Sequence, residues 1–434
     1  MTDTLGLGDA LVAAGVACRE ADAPYRIDWP APRLVATPTS PTELATALAA
    51  AGEAGAAVIP VGDGTKLRLG NRPRAADLFL STAGLRRVIE HEPANLTVIV
   101  EAGMPVRDLQ KRLADHGQFL PLGGLAGTIG GVVATNASGP LRLGYGTARD
   151  LLIGSRIATA DGKLARAGGK VVKNVAGYDL GKLYVGSLGT LGVLVELALK
   201  LAPLPASRAT HLSVHSGPTA AQEMAKSLLR SSLQPLAADL LSPAAAAALG
   251  LPSSRWTLAV LVGGVPAATR RQIYDLGRLA LGSEGVTLDV LDSAASEDLW
   301  RRVTDLSDGD AYLSAKASVP IPDVPSAVDA LTRHVPFLDA PLLWARAGSG
   351  IAYARWAAAP QGEAAVEIAE GLGRARRDLA SLGGALVLEQ APPEVASRLD
   401  AWGNVGDALA PMRALKAQFD PRGTINPGRF VGGI

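Results

Sequence analysis

Short apolar runs alternate with longer amphipathic stretches near the start of the chain, and this pattern predicts an α/β unit. Residues 33–37 and 57–61 predict two strands, and the Ala-rich stretch 42–55 between them predicts a helix. A capping box at 40–43, with proline at the first helical position, marks where that helix begins. The second strand leads directly into Gly62-Asp63-Gly64-Thr65-Lys66, so the unit ends in a glycine loop that could hold a phosphate.

The same periodicities predict further elements along the rest of the chain. Strands are predicted over residues 78–81, 88–91, 96–100, 150–160, 163–167 and 193–201, and helices over 106–116 and 175–185. Beyond residue 207 the glycine clusters disappear. There, strands are predicted over 210–215, 256–262, 286–291, 312–319, 341–346, 351–356 and 384–389, with helices near 219–230, 266–281, 325–334 and 363–382. This alternation predicts an α+β domain with a mostly antiparallel sheet.

A chain of 434 residues is too long for one ordinary hydrophobic core, so two domains are expected. The predicted divisions are an N-terminal helix and linker (1–30), a first domain (31–205), a second, α+β domain (206–395) and a C-terminal segment (396–434).

Glycine is concentrated in three segments of the first domain: the loop at 62–66, the stretch 117–146 and the turn 186–192. The second of these has too many glycines for a continuous helix, and its Thr, Asn and Ser side chains favour local turns. One such loop is enough for a small phosphate, whereas a dinucleotide with a pyrophosphate and a flat ring system needs several. We therefore expect backbone amides of the three segments to converge on one dinucleotide, with three structural turns as the alternative.

Charge and cysteine content narrow the possible functions. The net charge is +1 with the basic residues scattered, which argues against a nucleic-acid-binding surface. Cys18 is the only cysteine, so the chain can form no internal disulfide, no Cys-ligated zinc site and no iron–sulfur cluster. An electron destined for such a cluster would have to pass to another chain.

The start of the sequence does not fit a secretion signal, because Asp3 and Asp9 are present and a basic cluster is not. Every apolar run long enough to span a bilayer is interrupted by Gly, Pro or a charge. We therefore expect a soluble cytoplasmic protein without a transmembrane segment, which could be peripheral to the inner membrane through a partner.

No catalytic side chain can be assigned from these patterns. His211 and His215 have the spacing of two metal ligands on a helix, but the surrounding alternation predicts a strand, on which they would lie about 13 Å apart. No metal site is therefore predicted. The Gly-x-Ser-x-Gly elbow of serine hydrolases is also missing. A bound cofactor that carries out the chemistry fits both observations.

The glycine segments resemble those of the FAD-linked oxidases with a PCMH-type flavin domain, the type found in vanillyl-alcohol oxidase. Residues 60–66 are similar to the first pyrophosphate loop of that family, and 122–146 are similar to its second flavin-binding run. The turn 186–192 is similar to the third, and the tail 420–428 resembles the segment that returns to the flavin.

This resemblance implies a PCMH-type FAD-binding domain over 31–205 and an α+β cap domain over 206–395. It also implies FAD bound non-covalently, because no histidine stands at a recognisable linkage position. The FAD-binding residues that it implies are Gly62, Gly64, Thr65, Lys66, Gly123, Gly124, Thr128, Ile129, Gly130, Gly131, Asn136, Ser138, Gly139, Tyr145, Gly189, Gly192, Val193 and Asn426.

Within the family, residues 170–179 and the turn that follows most resemble the FAD-binding E subunits of bacterial glycolate oxidase. Those subunits act with a second flavin subunit and an iron–sulfur subunit. The resemblance therefore implies a subunit that takes part in oxidising glycolate, a small 2-hydroxy acid, and passes the electrons to its partners. Two alternatives are a stand-alone FAD-dependent 2-hydroxy-acid dehydrogenase, with Arg346, Arg355 and Lys316 as candidate substrate ligands, and a non-catalytic assembly subunit with a vestigial flavin fold.

Two departures from the family pattern bear on these alternatives. Asp63 stands where the family usually has Gly or an apolar residue, and a carboxylate pointing at a pyrophosphate would be repelled. Either its side chain turns away or this loop binds the pyrophosphate weakly. Catalytic relatives also carry two histidines in a His-x-Gly-Asp-Gly-Asn-x-His segment. The comparable residues here, 346–353, contain neither histidine, which makes independent hydroxy-acid oxidation doubtful.

Overall fold

The computed structural model of the protein describes residues 4–21, 27–122, 125–170, 178–336, 338–360 and 364–434. The chain divides into two compact units, each with its own hydrophobic core. The first unit comprises Met1–Ser138, Gly146–Leu204 and Asn404–Ile434, and the second comprises Gly139–Tyr145 and Pro205–Gly403.

The first unit begins with an α/β layer, of which the sequence predicts every element except the strand at Cys18–Glu20. Its elements are α1 (Thr4–Ala13), β1 (Cys18–Glu20), β2 (Leu34–Ala36), α2 (Pro41–Glu53), β3 (Val58–Val61) and β4 (Leu78–Ser81). The strand order is β1-β2-β4-β3, in which β4 pairs in parallel with both β2 and β3. The predicted start of α2 is confirmed, since the Ser40 hydroxyl accepts the Glu43 amide at 3.2 Å. This parallel arrangement brings the end of β3 to the edge of the layer, where the first glycine loop begins.

An antiparallel layer completes the first unit. The elements that follow are β5 (Val88–Glu92), β6 (Thr97–Glu101), α3 (Val106–Ala114), β7 (Gln118–Phe119), α4 (Ile129–Thr135), α5 (Arg142–Tyr145), α6 (Ala148–Leu151), β8 (Leu152–Ala158), β9 (Leu164–Gly168), α7 (Gly181–Tyr184), β10 (Val193–Lys200) and β11 (Ala202–Pro203). The sheet has the order β5-β6-β10-β8-β9, and α3 and α4 contribute to the core beside it. Helix α5 belongs to the second unit.

The second unit is built on one eight-stranded sheet. Its elements are β12 (Ser207–His215), α8 (Pro218–Arg230), β13 (Ala237–Leu241), α9 (Pro243–Ala248), β14 (Trp256–Gly264), α10 (Pro266–Gly282), β15 (Val286–Leu291), α11 (Ser293–Asp305), β16 (Leu313–Ser318), α12 (Val324–Arg333), β17 (Leu342–Arg346), β18 (Ile351–Trp356), α13 (Ala365–Ser381), β19 (Ala385–Gln390) and α14 (Pro393–Ala396). Each neighbouring pair in the order β15-β12-β14-β13-β17-β18-β16-β19 is antiparallel, which confirms the predicted α+β architecture. Helices α8, α10, α12 and α13 pack on one face, and α9 and α11 pack on the other.

The chain then returns to the first unit through α15 (Leu409–Phe419) and a turn-rich tail. Backbone hydrogen bonds join this tail to β3: the Val58 amide donates to the Thr424 carbonyl at 2.8 Å, and the Asn426 amide donates to the Val58 carbonyl at 2.9 Å. The C-terminal residues therefore extend the α/β layer beside the first glycine loop. None of the helices in the described part of the chain is long and apolar enough to cross a membrane.

Several local predictions need correction. The strand predicted over 150–160 begins only at Leu152, because the preceding residues form α6, whose first turn is held by the Thr147 amide bonded to the Asp150 carboxylate at 2.7 Å. Of the helix predicted over 175–185, the described residues show Gly181–Tyr184, and 175–177 lie outside them. Strand β13 and helix α11 were not predicted. All five residues of β13 are buried, so the strand lacks the polar–apolar alternation that identifies a half-exposed one.

Candidate functional site

The first glycine loop, residues 62–66, follows directly on β3. Among the described residues, the backbone N–H groups of Gly62, Asp63, Gly64 and Thr65 donate no hydrogen bond. Gly64 has φ +77°, a left-handed conformation that favours glycine. A run of consecutive unpaired amides at the end of a strand is the arrangement that binds phosphate groups.

The second glycine segment contributes α4 and the residues before it. Thr128 caps this helix, and its hydroxyl accepts the Gly131 amide at 3.2 Å. The Ile129 amide donates to the Met104 carbonyl at 2.9 Å, and the Gly130 amide donates to the Ala102 carbonyl at 2.8 Å. The first amides of α4 are therefore already bonded within the protein, so the first turn of this helix offers a surface for close approach rather than free donors.

Close packing joins the first two segments. A Cβ atom on Gly62 would lie 2.3 Å from the Thr128 hydroxyl oxygen. A Cβ atom on Gly130 would lie 2.7 Å from the Ala102 Cβ. A side chain at either position would clash, at Gly62 with the Thr128 side chain and at Gly130 with the Cβ and backbone carbonyl of Ala102.

The third glycine segment, residues 186–192, packs against the end of α4. The Gly186 amide donates to the Val133 carbonyl at 3.0 Å, and the Leu188 amide donates to the Ala134 carbonyl at 2.8 Å. Leu188 has φ +52° and Gly189 has φ +72°, so the turn is tight and left-handed at its centre. These bonds hold the third segment beside the second.

The C-terminal tail supplies two buried polar side chains to the same place. The Asn426 side-chain amide donates to the Leu188 carbonyl. The Arg429 guanidinium donates to the carbonyls of Leu67 and Leu69, at 2.6 and 2.7 Å, and lies over the Trp29 ring at 5.9 Å. Burial lowers the pKa of Arg429 to about 10, so the group is still cationic at neutral pH. The tail thus ties the first segment to the third and brings a positive charge with it.

Together these elements line an open cleft within the first unit. Ten of the residues predicted from the sequence to bind FAD line it: Gly62, Gly64, Thr65, Lys66, Thr128, Gly130, Gly131, Gly189, Val193 and Asn426. The remaining walls include the apolar side chains of Val61, Leu67, Val132, Leu188 and Leu194. The cleft therefore combines free amides and cationic groups at the first loop with apolar surface, as a pyrophosphate joined to a flat ring system requires.

The other predicted residues that the structure describes do not line the cleft. Ile129 is fully buried in the core, Asn136 ends α4 in a left-handed conformation, and Gly192 packs against Ile157. Ser138 is the last residue of Met1–Ser138, the first of the three segments that form the first unit. Gly139 and Tyr145 belong to the second unit. Gly123 and Gly124 lie outside the described residues.

Sequence reasoning missed several residues that line the cleft. Arg429 is the most consequential, because it is charged and only 4% exposed. Thr82 and Ala102 follow strands β4 and β6 and carry no motif of their own. Asp63 also lines the cleft, and it is exposed to solvent.

In the second unit, two of the three arginine and lysine side chains proposed to bind substrate already bond to other groups of the protein. Arg346 is 2% exposed and forms an ion pair with Asp239, which lies opposite it on β13. Burial raises the pKa of Asp239, and the guanidinium only partly offsets this. Arg355 donates to the carbonyls of Leu306 and Asp310. Lys316 lies opposite Tyr353 in the sheet and is half-buried.

His211 and His215 lie on β12, which confirms the predicted strand. The His211 ring bonds to the Thr287 hydroxyl at 3.0 Å, and the His215 ring bonds to the Ser213 hydroxyl at 3.0 Å. Burial lowers the pKa of His211 to about 4, and it lowers the pKa of His215 in the same direction. Both are therefore neutral core histidines at physiological pH.

Comparison with known proteins agrees with this geometry. Residues 32–168 match the family described as an FAD binding domain. The chain is 26% identical to glycolate oxidase subunit GlcD of Bacillus subtilis over 92% of its own length and 89% of that subunit. It is 43% identical to glycolate oxidase subunit GlcE of Escherichia coli over 28% of its own length and 35% of that subunit. A solved structure of alkyldihydroxyacetonephosphate synthase superposes with a TM-score of 0.69 at 16% identity, covering 93% of this chain and 78% of the synthase, which shows a shared fold.

The match to an FAD binding domain and the curated relatives show an FAD-dependent oxidoreductase. Residues 32–168 are thus similar to an FAD binding domain, in agreement with the resemblance of the glycine segments to PCMH-type flavin domains.

Proposed function

We propose that the chain is the FAD-binding subunit of a glycolate oxidase complex, in which glycolate is oxidised to glyoxylate and the electrons pass through the flavin to partner subunits. The observation that carries this proposal is the similarity to subunit GlcD along nearly the whole chain. The local match to subunit GlcE, at higher identity, supports the same complex.

In this proposal the cleft holds the cofactor through the residues that line it. The free amides of Gly62 to Thr65 and the cationic side chains of Lys66 and Arg429 would bind the pyrophosphate. Leu188, Val193 and Leu194 would provide apolar surface for the ring system. When bound, FAD supplies the hydride acceptor that oxidation of a CH–OH group needs. The protein residues bind and orient it without a covalent link.

The partners in this proposal are a second flavin subunit and an iron–sulfur subunit. A single cysteine cannot ligate an iron–sulfur cluster, so such a cluster would lie on another chain. The proposed location is the cytoplasm, at the inner membrane where the partners dock there.

The test is to purify the chain alone and together with its co-expressed partners and to record visible spectra before and after anaerobic addition of glycolate. We expect a flavin spectrum from the chain alone and bleaching by glycolate only in the complex. A colourless chain that takes up no FAD would contradict the cofactor assignment. Bleaching of the isolated chain by glycolate or another 2-hydroxy acid would instead indicate a self-sufficient dehydrogenase.

A variant that blocks the cleft distinguishes a subunit that relays electrons through its flavin from a non-catalytic assembly subunit. Gly62→Trp places a large side chain against Thr128. A flavin relay should lose glycolate turnover in the complex while the subunits still co-purify. Unchanged turnover with this variant would indicate that the subunit serves assembly alone.

A further inference from the structure

Lys416, in the last turn of α15, carries a buried ammonium group that the cofactor cleft itself does not account for. The side chain is 11% exposed. Its Nζ donates to the Thr190 carbonyl at 2.9 Å, to the Ile425 carbonyl at 2.8 Å and to the Asp420 carboxylate at 2.6 Å. An ammonium group has three N–H donors, so all three are used.

Asp420 completes this arrangement. Its carboxylate is fully buried and also accepts the amides of Thr424 and Ile425, at 2.9 and 2.8 Å. Burial lowers the pKa of Lys416, which reflects the cost of removing an ammonium from water. A buried ion pair offsets that cost only when further hydrogen bonds satisfy both groups, as they do here.

The groups that Lys416 holds are directly adjacent to residues of the cleft wall. Thr190 follows Gly189 in the third glycine segment, and Ile425 precedes Asn426 in the tail. Ile425 also forms a parallel bridge with Val58 of β3, the strand that leads into the first glycine loop. One side chain therefore connects the third segment, the tail and the strand behind the first loop.

We propose that Lys416 is a positioning residue for FAD, which fixes the third glycine segment against the C-terminal tail so that both form one wall of the cleft. Binding of FAD and docking of the tail are then thermodynamically linked, because each stabilises the arrangement that the other needs. The inference rests on FAD binding alone and not on the identity of the substrate.

The test measures FAD affinity by titration of flavin fluorescence for wild type, Lys416→Met, Asp420→Asn and the double variant. Met preserves most of the side-chain volume without the three donors. We expect Lys416→Met to raise the Kd for FAD at least tenfold and Asp420→Asn to raise it less. The double variant should lose less than the sum of the two, because both changes remove the same interaction. Lys163→Met, from the exposed pair with Asp161 in the same unit, is the matched control and should leave the Kd unchanged.

A merely structural role gives a different result. It would lower the melting temperature by the same amount with and without FAD while leaving the Kd within twofold of wild type, and that outcome would overturn the inference. A positioning role instead reduces the rise in melting temperature that saturating FAD produces. If the wild-type chain binds no FAD, that result contradicts the cofactor assignment itself. None of these measurements uses glycolate, so they do not depend on the identity of the substrate.

Hydrogen exchange on the wild-type chain keeps the inference testable if the variants do not fold. FAD should slow exchange of the Thr424 and Ile425 amides, which bond to Asp420 and lie outside the cleft lining. It should leave exchange unchanged in strand β9, none of whose residues line the cleft. Equal exchange of the Thr424 and Ile425 amides with and without FAD would rule out the proposed linkage.

Discussion

The side-chain amide of Asn426 donates a hydrogen bond to the backbone carbonyl of Leu188, which lies 238 positions earlier in the chain. Both residues have left-handed backbone conformations, with φ 47° and 52°, and both line the cofactor cleft. Such conformations are uncommon outside glycine and cost about 1 kcal/mol or more. The strained parts of the tail and of the third glycine segment are thus joined by one bond, so each fixes the shape of the other.

Substitution of Asn426 should separate the contribution of its side-chain hydrogen bond from that of its left-handed backbone conformation. Asn426→Gly removes the side-chain bond but accepts φ 47°, whereas Asn426→Ala removes the bond and also strains the backbone. We expect both variants to bind FAD more weakly, and the Ala variant to unfold at lower urea with about 1 kcal/mol less stability than the Gly variant. Flavin fluorescence titration and urea unfolding measure the two effects. Wild-type affinity in Asn426→Gly would show that the amide is dispensable.

Gly62 and Thr128 provide a second test of how the cleft is assembled. Gly62→Ala would bring its Cβ to 2.3 Å from the Thr128 hydroxyl and 3.1 Å from its methyl group. Overpacking of this kind costs about 1–3 kcal/mol and should displace the first loop, which weakens FAD binding. Combining it with Thr128→Ala removes the two nearest contacting atoms and leaves the Cβ of residue 128 at 3.2 Å. It also removes the cap of α4, worth about 1 kcal/mol.

The expected outcome is therefore partial recovery: the double variant should bind FAD better than Gly62→Ala alone. Thr128→Ala by itself is the control for the lost cap. A double variant that binds no better than Gly62→Ala would mean that the clash is not what displaces the loop.

The three glycine segments could be recognised from the sequence because close backbone approach leaves a local compositional signal. Gly62, Gly130 and Gly189 are examples, and the structure brings all three to one cleft. What the sequence could not show is which amides remain free. Those of Ile129 and Gly130 are consumed by carbonyls on a separate segment, whereas those of residues 62–65 have no partner among the described residues.

The position of Arg429 could not be predicted from the sequence either. Its position depends on bonds to Leu67 and Leu69, which lie 362 and 360 positions away, and a lone arginine in a turn-rich tail has no periodic pattern to indicate such contacts. Strand β13 was missed for a related reason, since all five of its residues, including Asp239, are buried and no polar–apolar alternation identifies the strand.

The Asp239–Arg346 pair should dominate the stability of the second unit. Arg346→Met leaves a carboxylate buried without its counter-charge, which typically costs about 3–5 kcal/mol. The double variant Asp239→Leu with Arg346→Met replaces both charges with apolar groups and should recover most of that loss. Urea unfolding of the three variants gives the coupling energy between the two positions. Additive losses would show that the two side chains act independently.

The buried His211 should make the free energy of unfolding of the protein fall in acid. Burial lowers its pKa from 6.5 to about 4, and its Nδ1 has no hydrogen-bond partner among the described residues. The unfolded chain therefore binds more protons than the folded one between these two pH values, and the free energy of unfolding falls as the pH falls through that window. From pH 7 to pH 5 this group should contribute a loss of about 2 kcal/mol, at 1.36 kcal/mol for each pH unit below 6.5.

His211→Gln removes the titrating group and retains an amide that can bond to Thr287, so its unfolding free energy should fall by about 2 kcal/mol less than that of wild type over the same interval. The comparison cancels carboxylates, which titrate in both proteins. His116→Gln, at an exposed histidine, controls for the loss of a histidine as such. Because His215 is buried on the same strand with its pKa lowered in the same direction, His215→Gln should reduce the acid sensitivity as well. Equal acid sensitivity in wild type and His211→Gln would mean that the His211 ring accepts a proton in the folded state as readily as in the unfolded one.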